Sequence, residues 1–194
     1  MGQEIGRVIQ ANTTQFTAGC RTLLHDIPSF GDFVRVLAQD GSIIYGFIYD
    51  VSIQGDQAAR QLITAQELPE EYIRDQLENR LLPVEFSVVV VGYKRQDRIR
   101  QELPPQPPMP FSVVERCSDG EVMEFARSGL DFLRTLLNIP GIPSDDVIAV
   151  ALRRMASCLG GEGRYFLLDA GRELTRLLYK DTTRLEGLLR RIKQ

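Results

Sequence analysis

Apolar positions alternate in the first half of the chain and recur every three or four residues in the second. In "DFVRVLA" (Asp32–Ala38) apolar residues alternate around Arg35, and "QDGS" (Gln39–Ser42) carries an Asp-Gly pair, a strong short hairpin signal. "IIYGFIYDVSI" (Ile43–Ile53) follows as a long predicted strand, and "IGRVIQAN" (Ile5–Asn12) and "QFTAGC" (Gln15–Cys20) precede it as shorter ones. "EFSVVVVGYKR" (Glu85–Arg95) holds four consecutive valines, and a run apolar on both faces predicts a strand buried on both sides. Between them, "PEEYIRDQLENRLLP" (Pro69–Pro83) has Tyr72, Ile73, Leu77 and Leu81 at helical spacing, with Glu70 and Glu71 in the first turn. Five or six short strands with turns between them predict a small closed barrel, because closure removes unpaired edges.

The strand phase assigns faces. Val34 and Val36 point inward with Ile44 and Ile48, and Tyr45, Phe47 and Tyr49 share the opposite face. Two covers suit those aromatics: the predicted helix Glu70–Leu82, or another subunit or domain, since aromatics are enriched at interfaces. Gly46 inside the long strand marks a bend or a close backbone approach.

The clearest punctuation is "ELPPQPPMPF" (Glu102–Phe111), with five prolines between Pro104 and Pro110. Such a stretch reads as extended and stiff. It marks a boundary between two halves; an SH3-type ligand is the alternative. Beyond it, "CSDGEVMEFARSGLDFLRTLLN" (Cys117–Asn138) opens with Ser118 and Glu121 in capping-box spacing and carries an apolar stripe of Met123, Ala126, Leu130, Leu133 and Leu137. "SDDVIAVALRRMASCLGG" (Ser144–Gly161) predicts a second helix with Ser144 as N-cap and Gly160 as the stop. Two more follow, in "RYFLLDAGRELTRLLYKD" and "TTRLEGLLRRIKQ". The predicted class is α+β. A small closed β-barrel with one inserted helix (about 69–82) occupies residues 1–101, a Pro-rich linker and short strand 102–116, and a helical domain 117–194.

Composition changes little in this picture: hydrophobic residues make 43% of the 194 and charged ones 25%, ordinary for a globular chain. Charge is uneven. Residues 1–150 hold 13 Lys/Arg against 21 Asp/Glu (−8), and residues 151–194 hold 10 against 5 (+5), within a net charge of −3. A basic C-terminal part suits either solvated helix faces or an acidic partner. The three cysteines, Cys20, Cys117 and Cys158, are widely separated and form no CxxC pair, and His25 is the one histidine, so no metal site is expected. Free thiols, no signal-peptide pattern in "MGQEIGRVIQ", no myristoylation pattern and no long apolar run lead to the expectation of a cytoplasmic protein without a membrane span.

"GGEGRYF" (Gly160–Phe166) lacks the Lys that a phosphate loop requires, and Phe166 stands where GxGxxG needs its third glycine. The glycines suit a helix-to-helix turn instead. There is no GxSxG elbow, and adjacent His25 and Asp26 are poorly placed as a base–orienter pair. No enzyme activity, cofactor or small-molecule substrate is expected. "YKRQDRIRQ" (Tyr93–Gln101) sets Lys94, Arg95, Arg98 and Arg100 beside an aromatic, which reads as a solvated strand end or as a nucleic-acid contact.

The first 125 residues or so resemble a known module. "IGRVIQANTTQFTAGC", the "GDFVRV" strand (Gly31–Val36) and "YGFIYDV" (Tyr45–Val51) are similar to the HAS barrel, the N-terminal barrel of HerA-type DNA-translocating ATPases and of ATP synthase α and β subunits. "PPMPFSVVERCSDGEVMEF" (Pro107–Phe125) is similar to the prolines, strand and helix that follow that barrel in HerA-type proteins. In those proteins a RecA-like motor comes next; here about 70 helical residues without a Walker motif stand in its place. The resemblance implies the barrel's own role, packing side by side and docking a partner, and not the motor's chemistry. The expectation is a non-catalytic protein–protein interaction or assembly module, acting by self-association or on a protein partner, with Tyr45, Phe47 and Tyr49 as interface candidates. The alternative is a nucleic-acid-associated accessory factor of a DNA-processing ATPase or nuclease, using Lys94, Arg95, Arg98 and Arg100.

Overall fold

A computed structural model describes residues 2–53 and 81–193. Among these residues seven strands form one antiparallel sheet: β1 (Gln3–Ala11), β2 (Gln15–Thr22), β3 (Phe33–Leu37), β4 (Ile43–Ile53), β5 (Leu82–Arg95), β6 (Arg98–Arg100) and β7 (Val113–Arg116). Their order is β2-β1-β7-β3-β4-β5-β6, and a further pairing of β2 with β5 closes the first six into a barrel. Helices follow: α1 (Asp119–Arg127), α2 (Phe132–Asn138), α3 (Ser144–Leu159), α4 (Gly163–Leu177) and α5 (Thr182–Lys193). The chain is therefore α+β, a closed six-strand barrel followed by helices.

Side-chain alternation explains the closure. Val34, Val36, Ile44 and Ile48 fill the barrel interior with Phe16, Phe86, Val88 and Val90. The opposite faces of β3, β4 and β5 place Phe33, Tyr45, Phe47, Val89 and Val91 in a second core shared with the helices. The valine run of β5 is thus apolar on both faces because it serves two cores. At Gly46 a Cβ would sit 2.5 Å from Val88 Cγ1 and 2.6 Å from the Val89 oxygen, beside a register shift between Tyr45 and Gly46. The glycine marks a close approach of β4 to β5.

Turn chemistry sets the hairpins. The β3–β4 connection runs from Ala38 to Ser42: the Ala38 amide donates to Ser42 O at 2.8 Å, and Gly41 takes φ +78°. Asp40 Oδ1 accepts from the Ser42 amide at 3.0 Å and its hydroxyl at 2.6 Å. The β5–β6 turn is built from Gln96 (φ 49°) and Asp97 (φ 58°), two left-handed residues without a glycine.

The short strand expected after the prolines is β7, and it is a stave of the barrel. It pairs with β1 and with β3, so the ring closes only at residue 116. The proline stretch packs against the molecule, with Pro104 and Pro108 buried, and the Phe111 amide donates to Val8 O at 2.8 Å. Residues 69–80 of the expected inserted helix lie outside the described residues, and Leu82 opens β5.

The stretch predicted as one helix over 117–138 is two. The Ser118–Glu121 capping box starts α1 as expected. The chain then breaks at Gly129 (φ 140°), where Gln101 splices the ends. Gln101 Nε2 lies 3.1 Å from Phe125 O and 2.9 Å from Gly129 O, and its Oε1 accepts from the Phe132 amide at 3.1 Å. Ser144 is the first residue of α3 and not its N-cap; Pro143 holds that place without a side-chain bond. The first-turn acids clamp α5 instead: Asp145 pairs with Arg184 at 2.8 Å and Asp146 with Arg191 at 3.2 Å.

Candidate interaction surfaces

Tyr45 and Phe47 are each 1% exposed, so neither is available to a separate molecule. Their cover is the chain's own helices. Phe125 of α1 stands 4.9 Å from Phe33 and 5.6 Å from Tyr45, and Phe132 of α2 stands 6.1 Å from Phe47 and 5.8 Å from Phe125, ring centre to ring centre. Tilted and edge-on contacts of this kind add roughly 0.5–1.5 kcal/mol per pair beyond area burial. Burial pushes the Tyr45 phenol well above its ordinary value, so it stays neutral. Tyr49 is half-buried at the edge of this core, and its hydroxyl donates to Gln15 Oε1 at 3.1 Å.

A polar clamp borders the same joint. Arg35 on β3 donates through Nε to Glu115 of β7 at 3.0 Å and also pairs with Glu121 of α1. Burial opposes ionisation of Glu121, but hydrogen bonds from Ser118 and the Arg35 guanidinium outweigh it and hold the carboxyl below its usual range. One arginine thus ties barrel to helix where the sequence showed only a polar interruption of an apolar strand.

The basic candidates separate. Lys94 donates to Glu124 of α1 at 2.8 Å, which raises its pKa against the opposing effect of burial. Arg100 pairs loosely with Glu102 at 3.5 Å. Arg95 and Arg98 are exposed and paired across the β5–β6 turn, and neither makes an ion pair among the described residues. The hairpin tip therefore offers two cations, not four.

Burial raises the pKa of the Cys20, Cys117 and Cys158 thiols, and Asp119 adds to the effect at Cys158. Gly160 (φ 56°) closes α3, and Gly163 opens α4 with its would-be Cβ 2.1 Å from the Ala156 oxygen, so the "GGEG" glycines make a tight helix-to-helix turn. Among the described residues no helix is long and apolar enough to cross a membrane.

One feature of the barrel wall carries no sequence signal of a site. Phe111 is 80% exposed and has φ 69°, a backbone region that non-glycine residues avoid. It is held there by the hydrogen bond its backbone N–H donates to Val8 O and by Arg7 Nη1, which donates to Phe111 O at 3.3 Å. Ile9, 53% exposed, shares with it a groove of about 560 Å³ along β1, β2 and the start of β5. Met109, 43% exposed, lies two residues before Phe111 in the chain.

Comparison with known proteins gives no assignment: no protein-family model matches the chain, and no curated protein matches it in sequence.

Proposed function

We propose that this chain is a non-catalytic interaction module whose HAS-like barrel docks a partner protein, or a second copy, through its outer wall around Phe111 and Ile9. The observation that carries this reading is Phe111 itself. A large ring held in solvent on a strained backbone serves neither core, and exposed aromatics in partly formed grooves are the usual anchors of protein interfaces. The likeness to HAS barrels rests on the sequence segments Gly31–Val36 and Tyr45–Val51, which lie on neighbouring parts of the closed ring. The interface differs from the one expected at Tyr45 and Phe47, because the helices already cover that face. The test is site-specific photo-crosslinking from position 9, with and without Phe111→Glu, together with mass in solution. Loss of both the crosslinked product and any self-association in the still-folded variant is expected; an unchanged pattern would count against the reading.

A second reading rests on Arg95 and Arg98, exposed at the hairpin tip and without an ion pair among the described residues. With two phosphate contacts, binding to a DNA duplex falls with salt at a slope of only about −1.8 on logarithmic axes. Retention on a DNA column that survives Arg95→Glu plus Arg98→Glu would remove this reading.

A further inference from the structure

The helical half carries a second surface, remote in chemistry from the barrel wall. Helices α3, α4 and α5 enclose a groove of about 880 Å³. Its apolar lining comes from Leu167 and Leu168 of α4 and from Leu189 and Ile192 of α5, and Leu168 is 53% exposed. Gly171 lies on the same wall, and a Cβ there would meet nothing nearer than Leu189 Cδ2 at 3.7 Å, so the wall is left open at its middle.

The charged side chains lining it are of one sign among the described residues. Arg153 of α3, Arg164 and Arg172 of α4 and Lys193 of α5 line the groove, and among the described residues no carboxylate does. Arg153 is fixed by donating to Arg191 O at 2.6 Å, and Arg172 pairs with Asp169 at 2.8 Å outside the lining. Arg164 and Lys193 have no ion pair among the described residues. Arg164 stands in the first turn of α4, where the helix dipole disfavours a cation, so local helix stability does not account for it. The groove residues of α4 from Arg164 to Thr175 recur at spacings of three and four and span roughly 16 Å, about three helical turns.

From this geometry we propose that the α3–α4–α5 groove receives an acidic amphipathic helix of a partner protein. Its apolar face would lie on Leu167, Leu168, Leu189 and Ile192, and its carboxylates would meet the surrounding cations. Three helices already present ridges and a trough, and a fourth packs into such a trough through apolar residues at spacings of three and four. The leucine lining favours a helix over nucleic acid, which would ask for stacking surfaces. Cations from all three helices favour an occupant with carboxylates along its length over a single headgroup.

The test uses the full chain and a fluorescently labelled helical peptide with leucines at spacings of three and four and glutamates elsewhere. Controls are the same peptide with lysines for glutamates, a DNA duplex and anionic phospholipid vesicles. Saturable binding of the acidic peptide, weakened by salt, is expected. Leu168→Glu and the uncharged groove-filling Gly171→Leu each should reduce it about tenfold or more, and Arg164→Glu plus Arg172→Glu should shift preference to the lysine peptide. Phe111→Glu should leave it unchanged, which separates this proposal from the barrel-wall reading. No saturation, equal binding of the lysine peptide, preference for duplex or vesicles, or indifference to both Leu168→Glu and Gly171→Leu would overturn it.

Discussion

Replacing Phe125 by alanine tests whether barrel and helices are one cooperative structure. The ring is fully buried, touches the rings of Phe33, Tyr45 and Phe132, and packs against the β-sheet where a Cβ at Gly92 would come within 3.1 Å of Phe125 Cε2. A buried Phe→Ala change costs about 3–5 kcal/mol, and the cost is high where the surroundings cannot collapse. Here one wall of the cavity is a closed barrel whose ladder resists inward movement, so about 4–5 kcal/mol is expected. Against a typical stability of about 5–15 kcal/mol this is a large fraction. With a urea slope of about 2.5 kcal/mol per molar, the unfolding midpoint falls by about 1.5–2 M. Far-UV circular dichroism follows the helices, and near-UV circular dichroism follows the packed rings of the joint, since exposed tyrosines such as Tyr165 and Tyr179 contribute little to it. Both signals should move together. A shift below about 0.5 M, or loss of the helical signal alone at an unchanged barrel midpoint, would refute the shared core.

Other consequences follow from the same geometry. Tyr45→Asp with Phe47→Asp puts two carboxylates into a sealed aromatic core, so the chain should lose its near-UV signal and unfold; a folded, monodisperse product would show that the helices do not cover these rings. Phe111→Gly relieves the left-handed backbone, and stability should rise by about 0.5–1 kcal/mol while partner crosslinking falls; destabilisation beyond about 1 kcal/mol in a denaturant titration would mean the ring is structural. Because the Glu121 carboxyl is held below its ordinary value of 4.5, its contribution is present above that pH and lost as pH falls through the lowered folded-state value. Glu121→Gln should therefore flatten the acid limb of the stability–pH curve, and parallel curves for both proteins would contradict the Arg35–Glu121 clamp.

Much of the architecture lay open in the residue pattern. Alternation in Asp32–Ala38 and Ile43–Ile53 separated Val34, Val36, Ile44 and Ile48 from Tyr45 and Phe47, and the structure puts the two sets in different cores. Strand and helix periodicities are local, so these elements and the barrel class could be read without coordinates. Ser118–Glu121 and Gly160 marked helix ends for the same reason. Partnership across distance is another matter. That β7 inserts between β1 and β3, that Gln101 splices α1 to α2, and that Asp145 and Asp146 clamp α5 are facts of chain return, which no nearby residue encodes. The same holds for the surfaces. An aromatic face reads alike in sequence whether a helix of the same chain or another molecule covers it; packing alone buried Tyr45 and Phe47, left Phe111 in solvent, and gathered cations from three helices around one apolar groove.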